Sequence, residues 1–594
     1  MNKHVAAAAP SQTTRVDPVT AAVIHGALEN IAVEMGHKLM RMSYSSIIRE
    51  SEDFGAALTD ATGRQLCECK MSTPLQSGPI PGYIRGILKT MAARSETIRE
   101  GDVIMHNDPY GGASHGPDVA FCVPVFLDGQ LIGFSVTTAH HLDIGALTPG
   151  SCGIVDAVDT YAEGLQFKAI KVVSEGRRND PVWHILNDNI RAPALVVGDM
   201  EAQIKAAEIG AARYLDLVRQ YGLSTVNAAY EDLMDYSERL MRDAIRALPD
   251  GDYTAATRID GFLDDPDPAR RDLPIVATVK VRGDRLIVDL TGTAPQIPDK
   301  PINMPLEGTV DCAVWLTLRS ILLDTTLYGN IPQNAGLTRP IEIAAPRGTL
   351  CNPIFPAPVI ARFCPGNQLA DTVMKALAQA VPEQISAGIG NLRVVAFSGL
   401  DEGKHWVHME ILEGSYGGRY GMDGMDAVDT LYANTRNNPI EDIESHLPIR
   451  VDRYELRNDV VAPGRWRGGI GTVREFTYLT DGGFSIEGDG HKYRPWGFSG
   501  GGDGHTASLT LQTEAGRTID LVSKVPYHKV KTGDSIRSEG PCGGGYGDPR
   551  ERDPEAVLRD VLDGLISIEK AEADYGVVIV GKTVDAEATA RARR

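Results

Sequence analysis

The chain has 594 residues, 42% hydrophobic and 23% charged, the composition of an ordinary folded protein with room for several domains. A net charge of −20 would repel a polyanion, so neither nucleic acid nor an anionic membrane is an expected partner. Eight scattered cysteines read as reduced thiols, and no apolar run reaches the roughly 18 residues of a membrane span, so a cytoplasmic protein is expected.

Residues 1–16 are expected to form a disordered tail. Asp17-Pro18 then opens a helix, as cap and first position, with an apolar stripe through Ile24, Leu28, Ile31, Met35, Leu39 and Met42. Asp53-Phe54 leads into a strand that turns at Asp60 to Gly63, and a short helix ends near Arg94. A strand over Val103 to His106 delivers a loop, Asn107 to Asp118, and then an apolar hairpin, Val119–Leu127 and Leu131–Thr138, turning at Asp128-Gly129. Amphipathic helices are expected over about 197–221 and 226–248. Beyond Asp264-Asp265-Pro266 come a hairpin at Gly283-Asp284 and helices near 310–323 and 367–381. From Leu392 the chain reads as strands with glycine-rich turns, closed by a helix beginning at Asp553-Pro554. The expected fold is α+β and multi-domain, with mixed and antiparallel sheets, helices packed on them and a metal site at the end of an N-terminal hairpin. The expected domains are 17–263 (metal-bearing, α+β), 264–390 (central, α+β), 391–550 (β-rich, glycine loops) and 551–594 (helix and tail).

The hairpin carries the chemistry. A tight turn at Asp128-Gly129 brings His140 opposite Pro117, so the loop bearing His115 and Asp118 meets Ala139-His140-His141-Leu142-Asp143 at one end of a ribbon. Imidazole with carboxylate suits Zn²⁺ or, with more oxygen ligands, Mn²⁺ or Fe²⁺. An ideal ladder puts His115 and His140 on one face and Asp118 and His141 on the other, so spacing leaves His140 and His141 as alternatives. Taken singly, each of these groups reads as a capping aspartate or a satisfied histidine. Asp53, at the entry to a buried strand, is the nearby acid most easily turned inward.

Other motifs are weaker. There is no P-loop, and the glycine-rich loops lack the following helix of a dinucleotide site. Two G-x-S-x-G matches, around Ser114 and Ser499, lack the strand-turn-helix setting of a nucleophile elbow. The polar run Asn434 to Pro439 reads equally as a pocket or interface lining and as a capped helix start.

Several ordered motifs together resemble the hydantoinase B/oxoprolinase family: Asp17-Pro18-Val19-Thr20, Asp53-Phe54, Asn107-Asp108-Pro109-Tyr110, His115-Gly116-Pro117-Asp118, Ala139-His140-His141, Asn434-Thr435-Arg436-Asn437 and Gly543 to Pro549. The resemblance implies a divalent metal held by Asp53, His115, Asp118 and His140, which selects His140 over His141. It also implies a separate actin-like ATPase A subunit, paired as (αβ)2 or larger, which phosphorylates the substrate before this B subunit completes the reaction. Ser114 stands where the family often has Thr, and Met71 to Gly78 departs from the hydantoinase pattern.

The expected activity is therefore ATP-dependent opening of a cyclic amide of the hydantoin, lactam or oxoproline type, with one divalent ion, zinc first and Mn or Fe next. His141 and Asp143 are the candidates for orienting a ligand or moving a proton. The alternatives are a subunit of an ATP-dependent ketone carboxylase of the acetone or acetophenone type, and a scaffold for an ATPase partner.

Overall fold

The computed structural model describes residues 16–151, 153–329, 331–431 and 433–594, so all but Val16 of the expected tail lies outside the described residues. Asp17 caps the helix Pro18–Met42 through the backbone N–H groups of Val19 and Thr20, and Ile24, Leu28, Ile31, Met35 and Leu39 form its buried stripe. Met42, expected to extend that stripe, is 42% exposed.

Seven antiparallel strands form the sheet that matters for the site. They are β1 (Phe54–Asp60), β2 (Gln65–Glu68), β3 (Val103–His106), β4 (Asp118–Leu127), β5 (Gln130–His140), β6 (Ile170–Ser174) and β7 (Arg177–Arg178), in the order β2-β1-β5-β4-β3-β6-β7. Both faces of the central strands β1, β5, β4 and β3 are covered, which is why these read as nearly unbroken apolar runs. Phe54, Leu58, Val119 and Phe121 join the larger core with the helices Pro18–Met42 and Pro193–Tyr221, while Ala57, Ala120, Cys122 and Phe134 pack with the helix Ile80–Ala93.

The hairpin register differs from the expected one by one residue. Leu127 faces Gln130 and Phe126 faces Leu131, but Val125 faces Gly133, so Ile132 is an extra residue in β5. Such a bulge moves every later pair by one. Asp118, not Pro117, therefore lies opposite His140.

A second sheet, Gly251–Gly261, Arg271–Arg282, Arg285–Asp289 and Ile341–Ala344, contains the hairpin expected at Gly283-Asp284 and one parallel pair, Leu286 with Ile341. The helix expected at 367–381 is Phe363–Leu377. It starts earlier because Pro365 sits in the first turn, where its missing N–H breaks no helical bond. Two further sheets, one built on Arg393–Asp401 and Lys404–Leu412 and one on Ile449–Leu456 and Thr472–Tyr478, enclose a core with Phe397, Phe476, Tyr478 and Phe484. The glycine loops here do more than turn between strands, because they stack backbone on backbone. An added Cβ at Gly544 would lie 2.1 Å from Trp496 O, and one at Gly468 would lie 2.0 Å from Gly543 O. Past the expected helix Pro554–Leu562 come two more, Ile568–Tyr575 and Ala586–Ala592, where a tail was expected. One apolar cluster runs from Ile24 to Ala433, across positions 264 and 391. Among the described residues no helix is long and apolar enough to cross a membrane, and the seven described cysteines are buried and free.

Candidate metal centre

Three neighbouring strands end at one place. Asp118 opens β4, His140 closes β5 and Asp53 immediately precedes β1. The β1–β5 register, Phe54 opposite Ala139, continues one step further as the His140 N–H donates to Asp53 O at 3.3 Å. On the other side the His141 N–H donates to Pro117 O at 3.0 Å, so Asp118 and His140 form the narrow, non-hydrogen-bonded type of pair with Cα atoms about 4.5 Å apart. The Asp118 N–H donates to His115 O at 3.3 Å, and this turn brings the His115 ring beside the same carboxylate.

His115 Nε2 and His140 Nδ1 each lie 3.1 Å from Asp118 Oδ1 and 3.2 Å from one another. The three side chains are at most 8% exposed. Ile360 O, 3.1 Å from His115 Nδ1, can only accept, so Nδ1 carries the proton and Nε2 turns its lone pair to the cluster. Lone pairs thus converge where few protons are left to separate them, and His140 Nε2 is buried with no hydrogen-bond partner. Ligands about 2.0–2.2 Å from a tetrahedral cation lie about 3.3–3.5 Å apart, close to the spacing here, so the residues fit a divalent ion. His115, Asp118 and His140 form the group with metal-ligand spacing among the described residues. Asp53 stands just outside that trio but lines the same cavity, about 30 Å³, with His115 and His140, and accepts from the Thr73 hydroxyl at 3.2 Å.

Burial shapes the charges. It pulls His115 down to about 4, helped by the Arg362 cation, which keeps the ring neutral and ready to ligate. Burial would raise Asp118, but His115, His140 and Arg362 outweigh it and hold its carboxyl well below the usual range. Asp53 is pushed up to about 6, mainly by burial.

Several supporting residues carry no local sequence signal. Arg362 Nη2 donates to Asp118 Oδ2 at 2.7 Å, Gln76 Nε2 donates to Asp118 Oδ1 at 2.7 Å, and the Ser114 hydroxyl donates to Oδ2. Glu163 Oε1 accepts from the N–H groups of Val359 and Ile360 at 2.5 and 2.6 Å, fixing the loop whose carbonyl holds His115. A lone arginine after Val359-Ile360-Ala361 was the one available hint, since a charge inside an apolar run needs a partner.

His141 and Asp143 do not join the cluster. His141 Nε2 bonds Gln203 Oε1 at 2.8 Å, and Asp143 pairs with Arg191 at 3.0 Å and caps the Gly145 N–H. Side chains alternate across a strand, so His141 faces the helix Pro193–Tyr221 instead of the cavity lined by Asp53, His115 and His140. The run Asn434 to Pro439 is an internal interface: the Arg436 N–H donates to Ser51 O at 3.0 Å, the Ser51 hydroxyl donates to Asn438 Oδ1 at 3.1 Å, and Arg436 pairs with Glu52 at 3.2 Å. It clamps the bend at Glu52 (φ 56°) that precedes Asp53.

An α+β scaffold of several sheets with packed helices, and a buried His-His-Asp cluster at the end of its main sheet, is the class these features define. The same architecture occurs in the crystal structure of the ATP-dependent caprolactamase from Pseudomonas jessenii, with TM-score 0.86 and 30% identity over 97% of this chain and 99% of that one. It occurs again in nucleotide-free acetone carboxylase, with TM-score 0.85 at 17% identity over 97% and 82%, a likeness of fold alone. The putative D-/L-hydantoinase B subunit of Pseudomonas sp. (strain NS671) is 67% identical over 98% of both chains. The hydantoinase B/oxoprolinase family model matches residues 17–549, and the chain belongs to that family.

Proposed function

We propose that this chain is the metal-dependent B subunit of an ATP-dependent cyclic-amide hydrolase, acting on a hydantoin, lactam or oxoproline-type ring that an actin-like A subunit has phosphorylated. The observation that carries this reading is the convergence of His115 Nε2, His140 Nδ1 and Asp118 Oδ1 at 3.1–3.2 Å, in a chain whose relatives are called the B subunit of a hydantoinase and the β subunit of a caprolactamase. Those three atoms would hold one divalent cation, with Asp53 as the fourth group, and zinc is the first candidate for an imidazole-rich set. Such an ion supplies Lewis acidity toward a carbonyl and lowers the pKa of water.

The chain's own residues then have distinct tasks. Arg362, Gln76 and Ser114 hold the Asp118 carboxylate in its orientation, and Ile360 O keeps the His115 proton on Nδ1. Leu75, Ile154 and Met409 line the cavity and limit the entry of bulk water. His141 and Asp143 act as braces through Gln203 and Arg191. The sequence has no P-loop, which suits an ATP site on a partner chain in an (αβ)2 or larger assembly. Buried free thiols suit the cytoplasm.

The test is co-purification with the product of the neighbouring gene and a panel of hydantoins, lactams and ketones with ATP and ¹⁴C-bicarbonate. ATP-dependent ring opening without fixed label is the expected result. Label fixed into a ketone, with no cyclic amide opened, contradicts the proposal.

A further inference from the structure

The helical turn Pro74–Ser77 borders two chambers. Leu75 lines the metal cavity and Gln76 grips Asp118, while Pro74, Ser77 and Gly78 wall a separate cavity of about 250 Å³. That second chamber is largely apolar, with Trp315, Leu316, Leu337 and Ile341 among its walls, and it contains a mostly buried cation, Arg319. Among the described residues the Arg319 guanidinium has no hydrogen bond and no carboxylate within ion-pair distance, although those of Arg64 and Arg85 on the same lining are both paired. Glu68, on the same lining, acts on Arg319 through charge alone, and its carboxylate already accepts from Gln65 Nε2 at 2.7 Å. A partly buried cation among apolar walls favours an anionic partner, and a guanidinium fork matches a carboxylate edge. Phosphate would leave the hydrocarbon walls unused, and a neutral apolar molecule would leave Arg319 uncompensated.

We propose that this cavity is a second small-molecule site, taking an apolar monocarboxylate with its carboxylate on Arg319 and its hydrocarbon body against Trp315, Leu316 and Leu337. The volume of about 250 Å³, just below the roughly 300–1,000 Å³ usual for ligand sites, restricts it to a compact acid. Its occupant touches the turn that carries Gln76 to Asp118, so binding is felt at the metal cluster. If the hydrolase reading holds, on which this last step rests, ring opening creates a carboxylate and the site takes the product's chemistry.

Calorimetric titration of the full chain with hexanoate, hexanamide and inorganic phosphate tests the site without any turnover, so its outcome and that of the hydrolase reading are separable. Saturable binding of one hexanoate per chain is expected, at least about tenfold tighter than hexanamide, with phosphate unable to compete. Arg319→Gln should weaken hexanoate at least about tenfold while leaving metal content unchanged. Binding that does not saturate by about 10 mM, or equal binding of hexanamide by the wild-type chain, overturns the proposal whatever the variant does.

Discussion

Asp118 and His140 face each other across β4 and β5 because Ile132 is bulged out of the intervening ladder. Without that extra residue Pro117 would sit opposite His140, and the Asp118 carboxylate would point to the other face of the sheet. A bulge near the turn thus sets the geometry of a cluster at the far end of the hairpin.

The Arg362–Asp118 pair, 2% and 0% exposed, should be a stability determinant as well as an orienting one. Arg362→Met leaves a buried carboxylate short of its cation, so a loss of about 3–5 kcal/mol in denaturant unfolding is expected. A loss below about 1 kcal/mol would mean that the Gln76 and Ser114 donors satisfy Asp118 without the cation.

Glu163 acts on His115 at one remove, through the backbone of Val359 and Ile360. Glu163→Ala should weaken metal affinity roughly 10–100-fold, the usual cost of removing an outer partner. Glu163→Gln, whose amide oxygen still accepts both N–H groups, should restore it. Competition titration with a chelating dye reads both, and equal losses in the two variants would exclude a positioning role.

The same carboxyl sets a pH dependence. Burial pushes Glu163 up to about 8 against the pull of its two N–H donors. Its folded value therefore lies above the unfolded 4.5, folding takes up a proton, and the contribution is full below about pH 4.5 and lost as pH rises through 8. The upper limit is on the order of 4–5 kcal/mol. Relative to wild type, Glu163→Gln should gain stability between pH 6 and about 9 in urea unfolding; a constant difference across that range would contradict the assignment.

Asn438 fastens the Ser51–Asp53 segment to the β-rich half, accepting from Ser51 and donating to Glu410. Asn438→Ala should cost roughly 1–3 kcal/mol. It should also weaken metal binding if Asp53 is the fourth ligand. Unchanged affinity in a destabilised variant would remove Asp53 from the set.

Local spacing made much of this readable. Asp128-Gly129 and the apolar runs on either side announce the hairpin, and His115, Asp118 and His140 lie within a short stretch of it. The one-residue slip was invisible because a bulge at Ile132 leaves the apolar pattern intact when both strand faces are buried. Arg362 lies 244 positions from Asp118, and Glu163 acts through backbone amides, so neither has a periodicity to betray it. His141 looked as promising as His140 in a bare sequence, and only the pleat separates their faces. The polar run at Asn434 was unresolved because its partners, Ser51 and Glu52, are distant in the chain.

Metal analysis of the purified full-length chain by mass spectrometry, alongside His140→Ala and Asp118→Asn, tests the central claim most directly. One divalent ion per wild-type chain, absent from both folded variants, is the predicted result. A folded wild-type chain that takes up no stoichiometric zinc, manganese or iron, or variants that keep the ion, would contradict it.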